Sequence, residues 1–212
     1  MTLVSFQPIK KSPIIFMQLI LLFLSLLSTY TPPTKPTLKI AVLYFSAIDK
    51  NLQTALVQNI SATYPCTVTE IKGIANLPAA AYYKPRNRYR APVVLTYLNT
   101  YSGYDKIIGI TTKDISTTKD EIYDWGVMGL GSCPGKACVI STFRLKTPNK
   151  PLFNERFLKV ALHELGHTMG LPHCTYSSTC FMEAAEGTIK SVDRETTSLC
   201  PNCKKLLTQL TQ

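Results

Sequence analysis

Residues 163–173 read His-Glu-Leu-Gly-His-Thr-Met-Gly-Leu-Pro-His, and all three histidines of the chain lie within this stretch. His163 and His167 are four positions apart, so on a helix they share one face, one turn apart. Two imidazoles so placed can bind one metal ion at about 2.0–2.1 Å. Glu164, one position past the first histidine, is placed to hydrogen-bond a water rather than to bind the metal. Gly170 breaks the helix, and the chain can double back so that His173 closes a third corner. The fourth corner stays open to water and substrate, as a catalytic zinc site requires. The chemistry expected of such a site is hydrolysis of a peptide bond. Zinc acidifies water and polarises the carbonyl, while Glu164 takes the proton as general base and hands it to the leaving amine. A bare His-Glu-x-x-His does occur by chance, and a lone buried histidine is usually a satisfied core group. Three histidines at ligand spacing with glycine at the break argue against both.

The stretch from His163 to His173 resembles the metzincin consensus, and Cys174 directly after it resembles the archaemetzincin (archaelysin) family of zinc metallopeptidases. That family carries a Cys-x-Met and, further on, a Cys-x-x-Cys. Here Cys180-Phe181-Met182 and Cys200-Pro201-Asn202-Cys203 stand in those places, with seventeen residues between. Five residues separate Cys174 from Cys180, one more than is usual in the family, which affects a loop and leaves the ligand types intact. The resemblance covers residues 38–203. It implies a metzincin-like α/β fold: a mixed twisted sheet, an active-site helix and a small irregular Cys-rich C-terminal subdomain. It also implies two zinc ions, the second a structural one on Cys174, Cys180, Cys200 and Cys203. Met182 would be the Met-turn residue, a hydrophobic floor under the histidines. Some metzincins place a tyrosine ligand two residues past that Met; Ala184 stands there, so no such ligand is expected. The segment Trp125 to Gly131 resembles the family's edge strand beside the cleft, to which substrate backbone adds as a further strand.

These residues need a frame. Leu38 to Phe45, apolar apart from Lys39, reads as a buried first strand. Asp49 looks like the N-cap of a helix reaching about Tyr64, with Leu52, Leu56, Val57 and Ile60 at helical spacing. Cys66–Ile71 is a second strand, Arg90–Tyr101 a second helix, and Lys106–Thr111, Trp125–Gly131 and Cys138–Phe143 three further strands. The long helix is expected from near Asn154 to Met169, stopped by Gly170 and Pro172. A terminal helix covers about Asn202 to Leu210. Strands alternating with helices predict an α/β domain with a mixed sheet over residues 38–212.

The N-terminus is a separate object. Lys10 and Lys11 precede the apolar run from Ile14 to Leu27, the pattern of a secretory signal or a short membrane anchor over residues 1–30. A proline-rich linker follows over residues 31–37. The domain is therefore expected outside the cytoplasm, secreted or membrane-associated through this segment. A buried helix of the domain is the alternative, disfavoured because the run has no polar face. The formal charge is +10. The densest basic cluster, Lys84, Arg86, Arg88 and Arg90, matches no nucleic-acid fold signature and reads as a solvated helix start. A peptide or protein is the expected partner, nucleic acid is not, and the chain is read as a monomer.

Export favours disulfides, so Cys174 with Cys180 and Cys200 with Cys203 could be oxidised instead of binding zinc, though their spacing follows zinc-ligand practice. Cys133 and Cys138 flank a tight turn and could form a local disulfide, and Cys66 reads as a small buried hydrophobe. Two other functions compete with the peptidase: a catalytically silent, zinc-stabilised cell-surface binding protein, and a different zinc hydrolase whose third ligand is Glu183 or Glu186.

Overall fold

The apolar run Ile40–Tyr44 makes β1 (Leu38–Tyr44) an interior strand of a parallel sheet, because a strand covered on both faces has no polar side to show. The computed structural model describes residues 37–185 and 188–211. The expected signal or anchor segment, residues 31–36 of the linker and Glu186 lie outside the described residues. No helix among the described residues is long and apolar enough to cross a membrane.

The main sheet also contains β2 (Cys66–Ile74), β5 (Lys106–Thr111), β8 (Gly129–Gly131) and β9 (Ala137–Ser141), in the order β2-β1-β5-β9-β8. The first four run parallel, and β8 pairs antiparallel with β9 at the edge. A second, small sheet joins β3 (Tyr82–Tyr83), β4 (Arg88–Arg90), β6 (Ile115–Lys119) and β7 (Ile122–Val127).

Side chains alternate across the main sheet with period two, so each strand feeds two cores. Ile40, Val42, Ile108 and Ile140 face one way, packed with α1 (Lys50–Thr63) and α3 (Lys150–Thr168). Ala41, Leu43, Ile107 and Val139 face the other way, with α2 (Ala91–Asn99). Asp49 caps α1, accepting from the N–H groups of Asn51 and Leu52. Two short helices, α4 (Ile189–Arg194) and α5 (Pro201–Leu210), complete the chain.

The long helix begins earlier than periodicity suggests. Asn149 caps it, accepting from Leu152 N–H at 3.1 Å, and Pro151 sits in the first turn where its missing N–H costs nothing. It stops where expected. Gly170 has φ +96°, its N–H donates to His167, and Leu171 N–H reaches back to Gly166 at 3.1 Å. This is a Schellman ending, which requires a left-handed residue at the position of Gly170.

Three expectations change. Trp125–Gly131 is not one strand: it divides at Met128, its first part belonging to the small sheet and only Gly129–Gly131 to the edge of the main one. The Lys84–Arg90 cluster is solvated only in part: Lys84 and Arg86 are exposed on a short 3-10 turn. Arg88 and Arg90 lie in β4, and Arg88 donates to buried Asp114 at 2.7 Å and to Asp124 at 2.9 Å. Arg90 is buried against Tyr123, Ser116 and Thr118. Cys133 and Cys138 are both free, the first exposed and the second buried in the core facing α3.

Candidate metal centre and cleft

The α3 helix places His163 and His167 one turn apart, and their Nε2 atoms approach to 3.0 Å. Each ring is fixed from behind. His163 Nδ1 is 2.6 Å from the Phe181 carbonyl and His167 Nδ1 is 2.8 Å from the Leu171 carbonyl. A carbonyl can only accept, so both Nδ1 atoms carry hydrogen and donate, leaving both Nε2 atoms as lone pairs. Two facing lone pairs repel unless a cation lies between them. The Schellman reversal brings His173 to the same point, and one ring nitrogen from each of the three histidines falls within 4.8 Å of the others. Tetrahedral zinc ligands at the usual Zn–N length stand about 3.3 Å apart, so the donor set fits that ion. Burial, together with His167, pushes His163 down to about 3. Burial likewise lowers His167 and His173, so all three rings are neutral at neutral pH, the form a metal ligand needs.

Glu164 points from the same helix turn towards the sheet edge. It is 9% exposed, and burial raises its carboxyl to about 8 against the pull of a hydrogen bond from the Gly131 N–H. The approach of β8 explains why glycines stand there. A Cβ on Gly129 would lie 2.6 Å from Glu164 Oε1, and one on Gly131 would lie 2.5 Å from the Glu164 carbonyl oxygen. Only bare backbone can come this close to the helix.

Met182 is fully buried beneath the histidine helix. A Cβ on Gly166 would meet its sulfur at 2.6 Å. The Met182 carbonyl accepts from Cys174 N–H at 2.6 Å, tying the turn to the chain just past His173. Beyond it, the sulfurs of Cys174, Cys180, Cys200 and Cys203 gather within 4.8 Å of one another. Cys174 and Cys200 sulfurs are 3.6 Å apart, against about 3.8 Å for two thiolates on one zinc. Backbone N–H groups of Tyr176 and Cys200 point at the sulfurs of Cys174 and Cys180, at 3.4 and 3.3 Å, as hydrogen bonds to thiolates do. All four are free of disulfides.

A cleft of about 800 Å³ runs past the histidines, walled on one side by the segment Trp125–Gly131. Glu183 is not a third ligand: it holds Arg194 with two bonds of 2.9 Å. The sequence reading missed the carbonyls of Phe181 and Leu171, the glycines of β8 and Tyr64, whose hydroxyl donates to the Leu162 carbonyl at 2.6 Å and braces α3. A Gly-x-Gly beside an expected edge strand was the available signal for β8. The carbonyls had none, since any residue type supplies one.

The sequence model of peptidase family M54 matches residues 48–209. The archaemetzincin of Methanopyrus kandleri is 37% identical over 134 residues, covering 63% of this chain and 73% of that protein. That of Halobacterium salinarum is 32% identical over 156 residues, covering 69% and 86%. The crystal structure of the Methanopyrus kandleri archaemetzincin superposes with a TM-score of 0.73 at 31% identity, covering 85% of this chain and 98% of that one. The archaemetzincin of Archaeoglobus fulgidus complexed with malonate superposes with a TM-score of 0.66 at 27% identity, covering 79% and 98%.

Proposed function

The chain belongs to peptidase family M54 and is a zinc metallopeptidase; from that premise we propose that His163, His167 and His173 hold the catalytic zinc and that Glu164 is its general base. The observation that carries this reading is the pair of facing Nε2 atoms 3.0 Å apart, each with its Nδ1 committed to a carbonyl. Bound there, zinc supplies a Lewis acid that acidifies water and polarises the scissile carbonyl. The protein's own groups do the rest. A Glu164 carboxylate oxygen takes the proton of the attacking water and returns it to the departing amine. The edge of β8 carries free backbone groups along the cleft, where substrate adds in extended form and is held in register with the histidines.

The four cysteines hold a second zinc that is structural: four sulfurs leave no open position. Lys10, Lys11 and the apolar run that follows export the chain or anchor it, so the domain works outside the cytoplasm, as a monomer and without nucleic acid. The test is a zinc count together with a peptide-library digest, run on the wild type and Glu164→Gln. Two zincs in both, with cleavage by the wild type alone, is the expected result. Equal turnover would remove Glu164 from the mechanism. Zinc in both with cleavage by neither would favour a silent binding protein.

A further inference from the structure

One wall of the cleft carries a charge that the reaction does not use. Val160 of α3, Ala184 and Ala185 past the Met182 turn, and Ile189 and Val192 of α4 present apolar side chains to the cleft, and Glu195 lines it among them. Glu195 is 5% exposed, and its Oε1 is sealed from water with no hydrogen-bond partner. The cations around it are committed elsewhere. Arg194 holds Glu183 at 2.9 Å, while Lys159 donates to the Val192 carbonyl at 3.2 Å and lies 3.7 Å from Glu155. The fold uses the backbone of Glu195, whose N–H donates to Ser191 at the end of α4, and has no visible use for its carboxylate. A buried acid without a partner is costly, and one that persists beside a binding cleft invites a ligand that completes it. Burial and the nearby Glu183 raise it to about 7, outweighing the pull of Lys159 and Arg194, neither of which bonds to it.

We propose that Glu195 is a specificity-determining residue, and that the subsite it shares with Val160, Ile189 and Val192 takes a lysine or arginine side chain of the substrate. The inference rests on the peptidase reading of the same cleft. The chemistry matches both parts of the wall: the methylene stem lies along apolar side chains, and the cationic head pairs with the carboxylate. An acid in an otherwise apolar slot is how trypsin-like pockets choose basic residues. A purely aliphatic residue would leave the carboxylate unpaired.

The experiment uses the zinc-loaded full chain at pH 8 and peptides that differ only at one position beside the scissile bond: Lys, Nε-acetyl-Lys, Gln or Leu. The wild type is expected to favour Lys over acetyl-Lys about tenfold or more in kcat/KM, the range of a desolvated charge pair. In Glu195→Gln that ratio falls to about one. A wild-type ratio of one, an unchanged ratio in the variant, or Gln outrunning Lys overturns the proposal. Acetylation changes the peptide rather than the protein, so the wild-type arm does not depend on how the variant folds. A binding arm repeats the comparison by fluorescence anisotropy in Glu164→Gln, with and without Glu195→Gln. Lys-selective binding that needs Glu195, without cleavage by any form, leaves the subsite standing and removes the peptidase. Cleavage without Lys selectivity does the reverse, and absence of selectivity in both arms ends the subsite.

Discussion

The two ligand clusters are built in opposite ways. The histidine site takes two ligands from one helix turn and the third from the chain reversal that ends that helix. The cysteine site gathers two sulfurs from irregular chain, Cys174 past the reversal and Cys180 in a turn, and two from a distant helix, Cys200 at the head of α5 and Cys203 within it. Helical geometry presents the first two imidazoles whether or not metal has arrived. Among the described residues between Cys174 and α4 no helix or strand holds Cys174 and Cys180 in place, so on the proposed reading a metal would supply the order there. With both proposed zincs bound, the first site would be a scaffold with a metal in it, and the second a metal with a scaffold around it.

Substitutions should separate the two. Cys203→Ser is expected to have the largest effect on the fold. Structural zinc contributes on the order of 10 kcal/mol of binding free energy, so losing even part of it should lower Tm by about 10 °C or more. His163→Ala should abolish cleavage and remove one zinc while moving Tm by only a few degrees. Thermal melts with metal counts check both, and equal losses of Tm would erase the contrast. Next comes Gly129→Ala. A Cβ 2.6 Å from Glu164 Oε1 displaces the base, and displacements of about 1 Å cost roughly a hundredfold in rate. Peptidase assays should show this with zinc content unchanged. Gly166→Ala pushes on the Met182 sulfur and should cost about 1–3 kcal/mol by overpacking, read by urea denaturation.

The smallest effect concerns pH. Glu195 is raised from 4.5 to about 7 in the folded chain. The folded state therefore keeps a proton that the unfolded chain releases, so stability falls as pH rises from about 4.5 through 7. Tm measured against pH should decline less over that range in Glu195→Gln, and parallel curves would show that this carboxyl does not titrate differently on folding.

The histidine site was legible because its ligands are local: a four-residue interval and a glycine suffice to place them. The α1 helix was legible for the same reason, Asp49 marking its start. What escaped depends on contacts distant in sequence. Nothing in the pattern of Trp125–Gly131 says that the chain changes sheets at Met128, since strand membership is decided by partners elsewhere. Arg88 and Arg90 read as solvent-facing because Asp114 and Asp124, which neutralise Arg88, lie about thirty residues on. Four cysteines were assigned by family resemblance rather than by geometry, as loop closure has no period to read. Glu195 drew no notice because its isolation is a fact of three dimensions.

Cys180, Phe181 and Met182 are consecutive, and each has a separate attachment. The first gives a sulfur to the thiol cluster, the second its carbonyl to His163, and the third its side chain to the floor under Gly166. A disturbance at the sulfurs thus arrives at the imidazole after a single peptide unit, like a fuse wired in series with the catalyst. In Cys133→Ser, which removes the exposed thiol lining the cleft, stepwise alkylation of the remaining thiols should extinguish turnover before circular dichroism records any loss of helix.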